Sequence, residues 1–208
     1  MLTESARLSG LLLVAGALTF FVGAGMPVYK AWSAATLGEY LAVLRARPTA
    51  WAICQVAMCA AAPVTAAGVG LTAWELAQPL AIAAAFAYTA GAAVWCIFTM
   101  YRLSVQPFVA RLQSAPPDWF LALEELSGRL FPVFMLTSYS SIAALGLAVS
   151  RGTFLPAWSG WAVFAFSLAG AVSLATGLPR LRGGSPFEPP FMTFLPTLLV
   201  GSLLLLRG

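Results

Sequence analysis

Apolar residues run along the chain in six long blocks, and polar or turn-forming residues gather between them. About 20 apolar residues at about 1.5 Å rise are needed to cross about 30 Å of hydrocarbon as an α-helix. The blocks at 8–28, 51–74, 80–101, 130–150, 156–178 and 190–206 meet or nearly meet that length. The pattern predicts an all-α, polytopic helical membrane bundle of about six transmembrane helices in a single domain spanning 1–208. Trp51 and Trp74 bound the second block, about 35 Å apart along a helix, and so predict an aromatic ring in each interface. Trp158 and Trp161 mark the start of the fifth in the same way.

The breaks carry turn chemistry: Gln78-Pro79, Arg151-Gly152 and Gly183-Gly184-Ser185-Pro186. The first two are short, which predicts antiparallel hairpins. The longer connections have patterns of their own. Thr36-Leu37-Gly38-Glu39 matches a capping box, and Leu37, Tyr40, Leu41 and Leu44 follow at helical spacing, so 37–44 reads as a short interfacial helix. Pro116-Pro117-Asp118 opens a second, over 117–126, with Trp119, Phe120, Leu123 and Leu126 apolar and Glu124 and Glu125 on the wetter side.

Composition closes off a soluble fold. Apolar residues make up 61% of the chain and charged residues 9%, with a mean hydropathy of +0.88; no domain of this size hides so much apolar surface in water. The net charge of +4 comes from eleven basic residues scattered singly at block ends, which excludes a nucleic-acid patch and reads as membrane anchoring. Lys30, Arg45, Arg47, Arg102, Arg111, Arg129, Arg180 and Arg182 fall on one side of a six-span chain, and Arg7, Arg151 and Arg207 on the other. By the positive-inside rule the first side is cytoplasmic and both termini lie outside, in an inner (plasma) membrane. Met26-Pro27-Val28 offers no small-x-small cleavage site, so the first block reads as a retained span.

The chain has no histidine, which removes imidazole-ligated haem, His-box di-iron sites, zincin motifs and the Ser-His-Asp triad together. Cys54, Cys59 and Cys96 lie inside apolar blocks without CxxC spacing and read as small buried hydrophobes. No metal site and no cofactor is expected.

Polar groups at membrane depth are the candidates that remain. Thr137, Ser138, Tyr139, Ser140 and Ser141 form the one dense polar run, in the fourth block. Their hydroxyls either bond back to carbonyls one turn earlier or, with Gln55, Tyr88 and Thr89, line a ligand cavity. The candidate ligand-binding set is Gln55, Tyr88, Thr137, Tyr139, Ser141 and Arg102. Glu75, beside Trp74, and Asp118 and Glu188, near span ends, are the candidate proton donors of an enzyme reading. Arg102, Asp118, Glu124, Glu125 and Glu188 share the predicted cytoplasmic side and form a possible lid network. Pro63 and Pro196 remove backbone donors inside two spans and predict kinks. Ala66-x-x-x-Gly70, Ala87-x-x-x-Gly91 and Gly146-x-x-x-Ser150 offer close helix packing.

The stretches 95–105 (Trp95-Cys96-Ile97-Phe98 onward), Pro156-Ala157-Trp158-Ser159-Gly160-Trp161 and Pro189-Pro190-Phe191 to Gly201 resemble uncharacterised bacterial multi-pass membrane proteins. The resemblance implies a bacterial membrane and a six-helix fold, and no activity. Two functions stay open. One is a protein that binds a lipid or hydrophobic small molecule in its bundle, or serves as a subunit of a membrane assembly, with a homodimer among the possible partners. The other is a small integral-membrane enzyme of cyclase or isomerase type, using a carboxylic acid on a hydrophobic substrate. A transporter is disfavoured, because the charges lie near span ends and the spans are too few for an inverted repeat.

Overall fold

A computed structural model of the protein describes residues 3–25, 29–32, 34–112, 115–177 and 186–207. These form α1 (Glu4–Ala24), α2 (Tyr29–Trp32), α3 (Leu37–Ala46), α4 (Pro48–Leu76), α5 (Pro79–Arg111), α6 (Asp118–Arg151), α7 (Ala157–Thr176), a 3-10 turn (Pro190–Thr193) and α8 (Phe194–Arg207). No strand occurs among the described residues. Six segments are long and apolar enough to cross a membrane: α1, α4, α5, α6, α7, and the 3-10 turn with α8. The protein is membrane-embedded. Leu11, Val22, Ile53, Phe86, Ile97 and Val172 are exposed around the bundle, as a lipid-facing surface requires.

Local chemistry sets the helix ends. Thr3 caps α1 through the Ala6 amide, and Thr36 caps α3 through the Glu39 amide. The Glu39 carboxylate takes the Ala35 amide instead of closing the box on Thr36. Pro48 and Pro79 open α4 and α5 in the first turn, where a missing N–H costs nothing. Ala77, with φ of 49°, closes α4 in the left-handed region before the Gln78-Pro79 turn.

Small residues fix which helices touch. Gly16 lies so close to Thr65, and Gly68 to Leu13, that α1 and α4 meet backbone to side chain. Gly10 and Gly201 join α1 to α8 in the same way. Gly146 and Gly160 lie against each other between α6 and α7, so the Gly146-x-x-x-Ser150 seam serves packing within the chain. Gly91 faces Thr137 on α6, whereas Gly70 faces open space and takes no part in packing.

Three expectations change. The stretch 117–126 is helical but is not a separate helix: it forms the first turns of α6. Nothing between Leu126 and Leu130 breaks the helix, and Pro132, which the span reading passed over, is accommodated inside it. Trp51 is no interfacial anchor; it is fully buried, while Trp74, Trp158 and Trp161 are exposed as expected. Pro196 bends nothing, because it falls in the first turn of α8, where its N–H would be orphaned anyway. Pro63 does lie within α4, and the Cys59 carbonyl it leaves without an amide partner accepts from Cys96 Sγ at 3.8 Å. The cleavage-site triplet 26–28, the basic pair Arg180 and Arg182, and residues 183–185 of the last break lie outside the described residues.

The long helices overshoot the bundle on one side only. Gly23, near the end of α1, lies against Cys54 and Met58 of α4, and Met58 accepts from the Trp95 indole of α5. From that level α5 runs on to Arg111, and α6 starts correspondingly early, at Asp118. At about 1.5 Å per residue this hairpin extends roughly 20 Å past the end of α1. About 20 residues, the length that crosses the hydrocarbon, counted from Pro79 reach Phe98, one turn before Arg102.

Candidate functional site

Where the α5–α6 hairpin leaves the bundle, four helices converge on Arg102. Its side chain is only 6% exposed, and its guanidinium lies 5.0 Å from the centre of the Phe98 ring, 5.1 Å from that of Trp51 and 5.7 Å from that of Tyr40. Aromatic faces attract a cation most strongly when water is excluded. The Trp51 indole donates to the Arg102 carbonyl at 2.8 Å, tying α4 to α5. Tyr40 comes from α3, which docks by burying Leu41 and Leu44. Arg45 of the same helix donates to the Ala110 carbonyl at 2.6 Å, satisfying an acceptor that the end of α5 leaves without an amide.

A polar chain runs from this cage to α6. Arg102 donates to the Tyr40 hydroxyl at 2.8 Å and, more loosely, to Gln106 Oε1 at 3.5 Å. The Tyr40 hydroxyl donates to the same Gln106 oxygen. Burial pushes the Tyr40 phenol up to about 12, against the pull of Arg102, so at neutral pH it keeps the proton it donates. Gln106 Nε2 donates to Glu124 Oε1 at 2.7 Å, and the Tyr101 hydroxyl donates to that oxygen at 2.8 Å. The amide of Gln106 thus relays between a buried guanidinium and a carboxylate.

Beside this chain lies a cleft of about 320 Å³, lined by Phe98, Arg102, Gln106, Glu124, Ser127, Gly128 and Phe131. Phe98 and Phe131, with ring centres 6.0 Å apart, form its aromatic end. A larger cavity of about 400 Å³ between α4 and α5 is lined by Pro63, Ala66, Ala67, Thr89, Ala92, Ala93 and Cys96. The Thr89 hydroxyl donates back to the Ala85 carbonyl, so that wall offers little beyond apolar contact.

The structure disperses the other candidates read from the sequence. Thr137 donates to the Val133 carbonyl, Ser141 to the Thr137 carbonyl, and Tyr139 across the bundle to the Phe187 carbonyl at 3.1 Å. Gln55 and Tyr88 are both fully buried, but ten positions apart in helix register: Gln55 lies near Phe98, and Tyr88 lies level with Thr65. Thr65 spends its proton on the Ala61 carbonyl, and the Tyr88 hydroxyl stays outside hydrogen-bonding geometry with it. Gln55 Oε1 and Ser138 and Ser167 Oγ likewise find no partner among the described residues. Glu75 accepts from the Ser5 hydroxyl at the opposite end of the bundle. Asp118 and Glu188 are exposed, and Arg102 is joined by Glu124 rather than by either of them. No group of three or more His, Cys, Asp or Glu able to hold a metal occurs among the described residues.

Tyr40, Gln106, Ser127 and Gly128 are site residues the sequence reading did not assign. One available signal was Gly128-Arg129-Leu130-Phe131-Pro132, where a proline strips the amide from the carbonyl one turn back. Comparison with protein-family models, with curated proteins and with solved structures finds no match to this chain.

Proposed function

We propose that the protein binds an amphiphilic molecule in the Arg102–Glu124 cleft, with the polar head beside the charged pair and the apolar part running past Phe98 and Phe131 into the bilayer. The observation that carries this reading is the Arg102–Gln106–Glu124 relay, buried at Arg102 and Gln106 and half-buried at Glu124, beside a cleft whose other end is aromatic. Ligand sites combine an apolar wall with a few fixed polar groups in this way. Glu75, Asp118 and Glu188, the proton donors of the enzyme reading, line neither of the cavities described above. A role as an assembly subunit has one observation in its favour: Phe108, Trp119 and Leu126 are exposed on the projecting hairpin.

Gly128→Leu tests the cleft. A Cβ at Gly128, on the cleft wall, meets nothing within 4 Å, so there is room to start a larger side chain there, and leucine gains helix propensity worth up to about 1 kcal/mol. Wild-type protein purified in mild detergent is expected to carry a stoichiometric amphiphile, read by mass spectrometry of its organic extract. The variant is expected to melt at the same temperature or higher and to have lost that molecule. Full occupancy in a folded variant would sink the proposal, and a stoichiometric partner protein in the same preparation would favour the subunit reading.

The cleft is on the cytoplasmic side in this proposal, because Lys30, Arg45, Arg47, Arg102, Arg111 and Arg129 lie at that end. Alkaline phosphatase fused after Arg207 is expected to be active. A silent phosphatase, with a fluorescent cytoplasmic reporter at the same point, would invert the topology.

A further inference from the structure

The walls of the cleft differ in chemistry, and the difference selects a head group. On α6, Glu124, Ser127 and Gly128 share one face, at spacings of three and four residues. Gln106 and Tyr101 both donate to Glu124 Oε1, leaving Oε2 without a hydrogen bond from the described residues. Ser127 is 6% exposed and its hydroxyl makes no described hydrogen bond. Gly128 has no side chain, so what it contributes to the wall is backbone. In a regular helix its carbonyl would take the amide of residue 132, which is a proline without one. One turn of α6 therefore brings a carboxylate oxygen and a hydroxyl to the cleft wall, next to a carbonyl that Pro132 leaves without its usual amide. Across the cleft, Arg102 of α5 lines the facing wall, its guanidinium held by Tyr40 and Gln106.

We propose that the cleft takes the head group of a phospholipid bearing a primary amine, with its ammonium at Glu124, Ser127 and the Gly128 carbonyl and its phosphate toward Arg102. This inference rests on the amphiphile reading above. A primary ammonium has three donors for three acceptors, whereas a trimethylated nitrogen has none and a glycerol head has no charge to set against Glu124. Arginine suits the phosphate through its planar array of donors. The glycerol and acyl chains leave past Phe98 and Phe131 toward the hydrocarbon.

The test offers full-length protein, purified in detergent, an equimolar mixture of phosphatidylethanolamine, phosphatidylcholine and phosphatidylglycerol with identical acyl chains, and reads bound lipid by native mass spectrometry. Phosphatidylethanolamine is expected in at least about tenfold preference, the scale of hydrogen bonds to a charged group. Glu124→Gln is expected to remove that preference. Ser127→Val, which deletes one hydroxyl from the wall, is expected to reduce it by about threefold to tenfold while the melting temperature holds. A long-chain alkylamine without phosphate is expected to bind at least about tenfold more weakly. Wild-type protein that takes phosphatidylcholine or phosphatidylglycerol equally well, in a manner abolished by Gly128→Leu, overturns the amine assignment and leaves the amphiphile cleft standing. An alkylamine that binds as well as the phospholipid overturns the role given to Arg102. Retention of all three lipids by folded Gly128→Leu overturns both proposals.

Discussion

Gly160→Ala is expected to destabilise the protein by about 2 to 3 kcal/mol and lower its melting temperature by roughly 5 to 10 °C. A Cβ at Gly160 would lie 2.3 Å from the Ser150 amide nitrogen, 2.6 Å from the Gly146 carbonyl oxygen and 2.6 Å from the Ser150 Cα. All three are backbone atoms of α6, so no rotamer change can relieve the overlap, and the two helices must move apart. Inside a membrane the helices gain little from hydrophobic attraction to each other, and contact at short range is most of what holds them. The gain of about 1 kcal/mol in helix propensity from losing a glycine offsets only part of the cost. Gly70→Ala is the control: it gains the same propensity, meets nothing within 4 Å, and is expected to leave the melting temperature unchanged or slightly raised. Equal melting temperatures for Gly160→Ala and wild type would show that α6 and α7 do not pack as closely as these atoms require.

The six membrane segments were legible because each depends on a property of one contiguous stretch. Twenty or so apolar residues, closed by Gln78-Pro79 or Arg151-Gly152, leave the backbone one way to satisfy its hydrogen bonds in lipid. The small-residue spacings were legible only as possibilities. Gly91 and Gly146 pack against neighbours and Gly70 does not, yet the three motifs look alike in sequence. What separates them is helix rotation, which depends on all neighbours at once. Trp51 shows the same limit. A tryptophan at a span end suits an interface, but the buried guanidinium of Arg102 and its backbone carbonyl draw this one inward.

The site was legible only in pieces. Arg102 stood out as a charge at a span end, and Glu124 as an acid on a short helix, but their joining through Gln106 depends on where the spans were taken to stop. Hydropathy ends the third span near Tyr101, whereas the α5 helix continues to Arg111, since nothing from Arg102 to Val105 resists helix and Pro107 is carried within it. Once α5 and α6 run on together, Gln106 and Glu124 become neighbours. Tyr40 is 62 positions from Arg102 in sequence and reaches it only because α3 folds back on α5. The hydroxyls of Thr137 and Ser141 drew attention because polar groups in lipid are costly, yet each is satisfied within its own helix at no cost to the neighbours.

Arg102→Met is expected to cost about 3 kcal/mol and to release α3 while the rest of the bundle stays folded. Methionine matches the length and apolar contact of the arginine stem but loses the hydrogen bond to Tyr40 and the contact of a cation with three aromatic rings. A hydrogen bond to a charged group is worth about 1.5 to 3 kcal/mol and a desolvated cation–π contact about 2, shared here rather than summed, because one guanidinium makes both. Loss of the charge also leaves the Gln106–Glu124 pair without the cation it relays to. Beyond Leu41 and Leu44, the described bonds holding α3 on α5 are those of Tyr40 and that of Arg45 to the Ala110 carbonyl. Hydrogen exchange in 37–46 and at the far end of α5 is therefore expected to quicken, and trypsin to cut at Arg45, since Arg47 is shielded by Pro48. The α1–α4 seam at Gly16 and Gly68 should keep its protection. Arg102→Lys is expected to recover less than half of the loss, since a compact ammonium cannot lie over the rings and hydrogen-bond to Tyr40 in the way a planar guanidinium does. If α3 exchanges at the wild-type rate in Arg102→Met, the cage is not what docks it, and the cleft would then be held open by the α5–α6 hairpin alone.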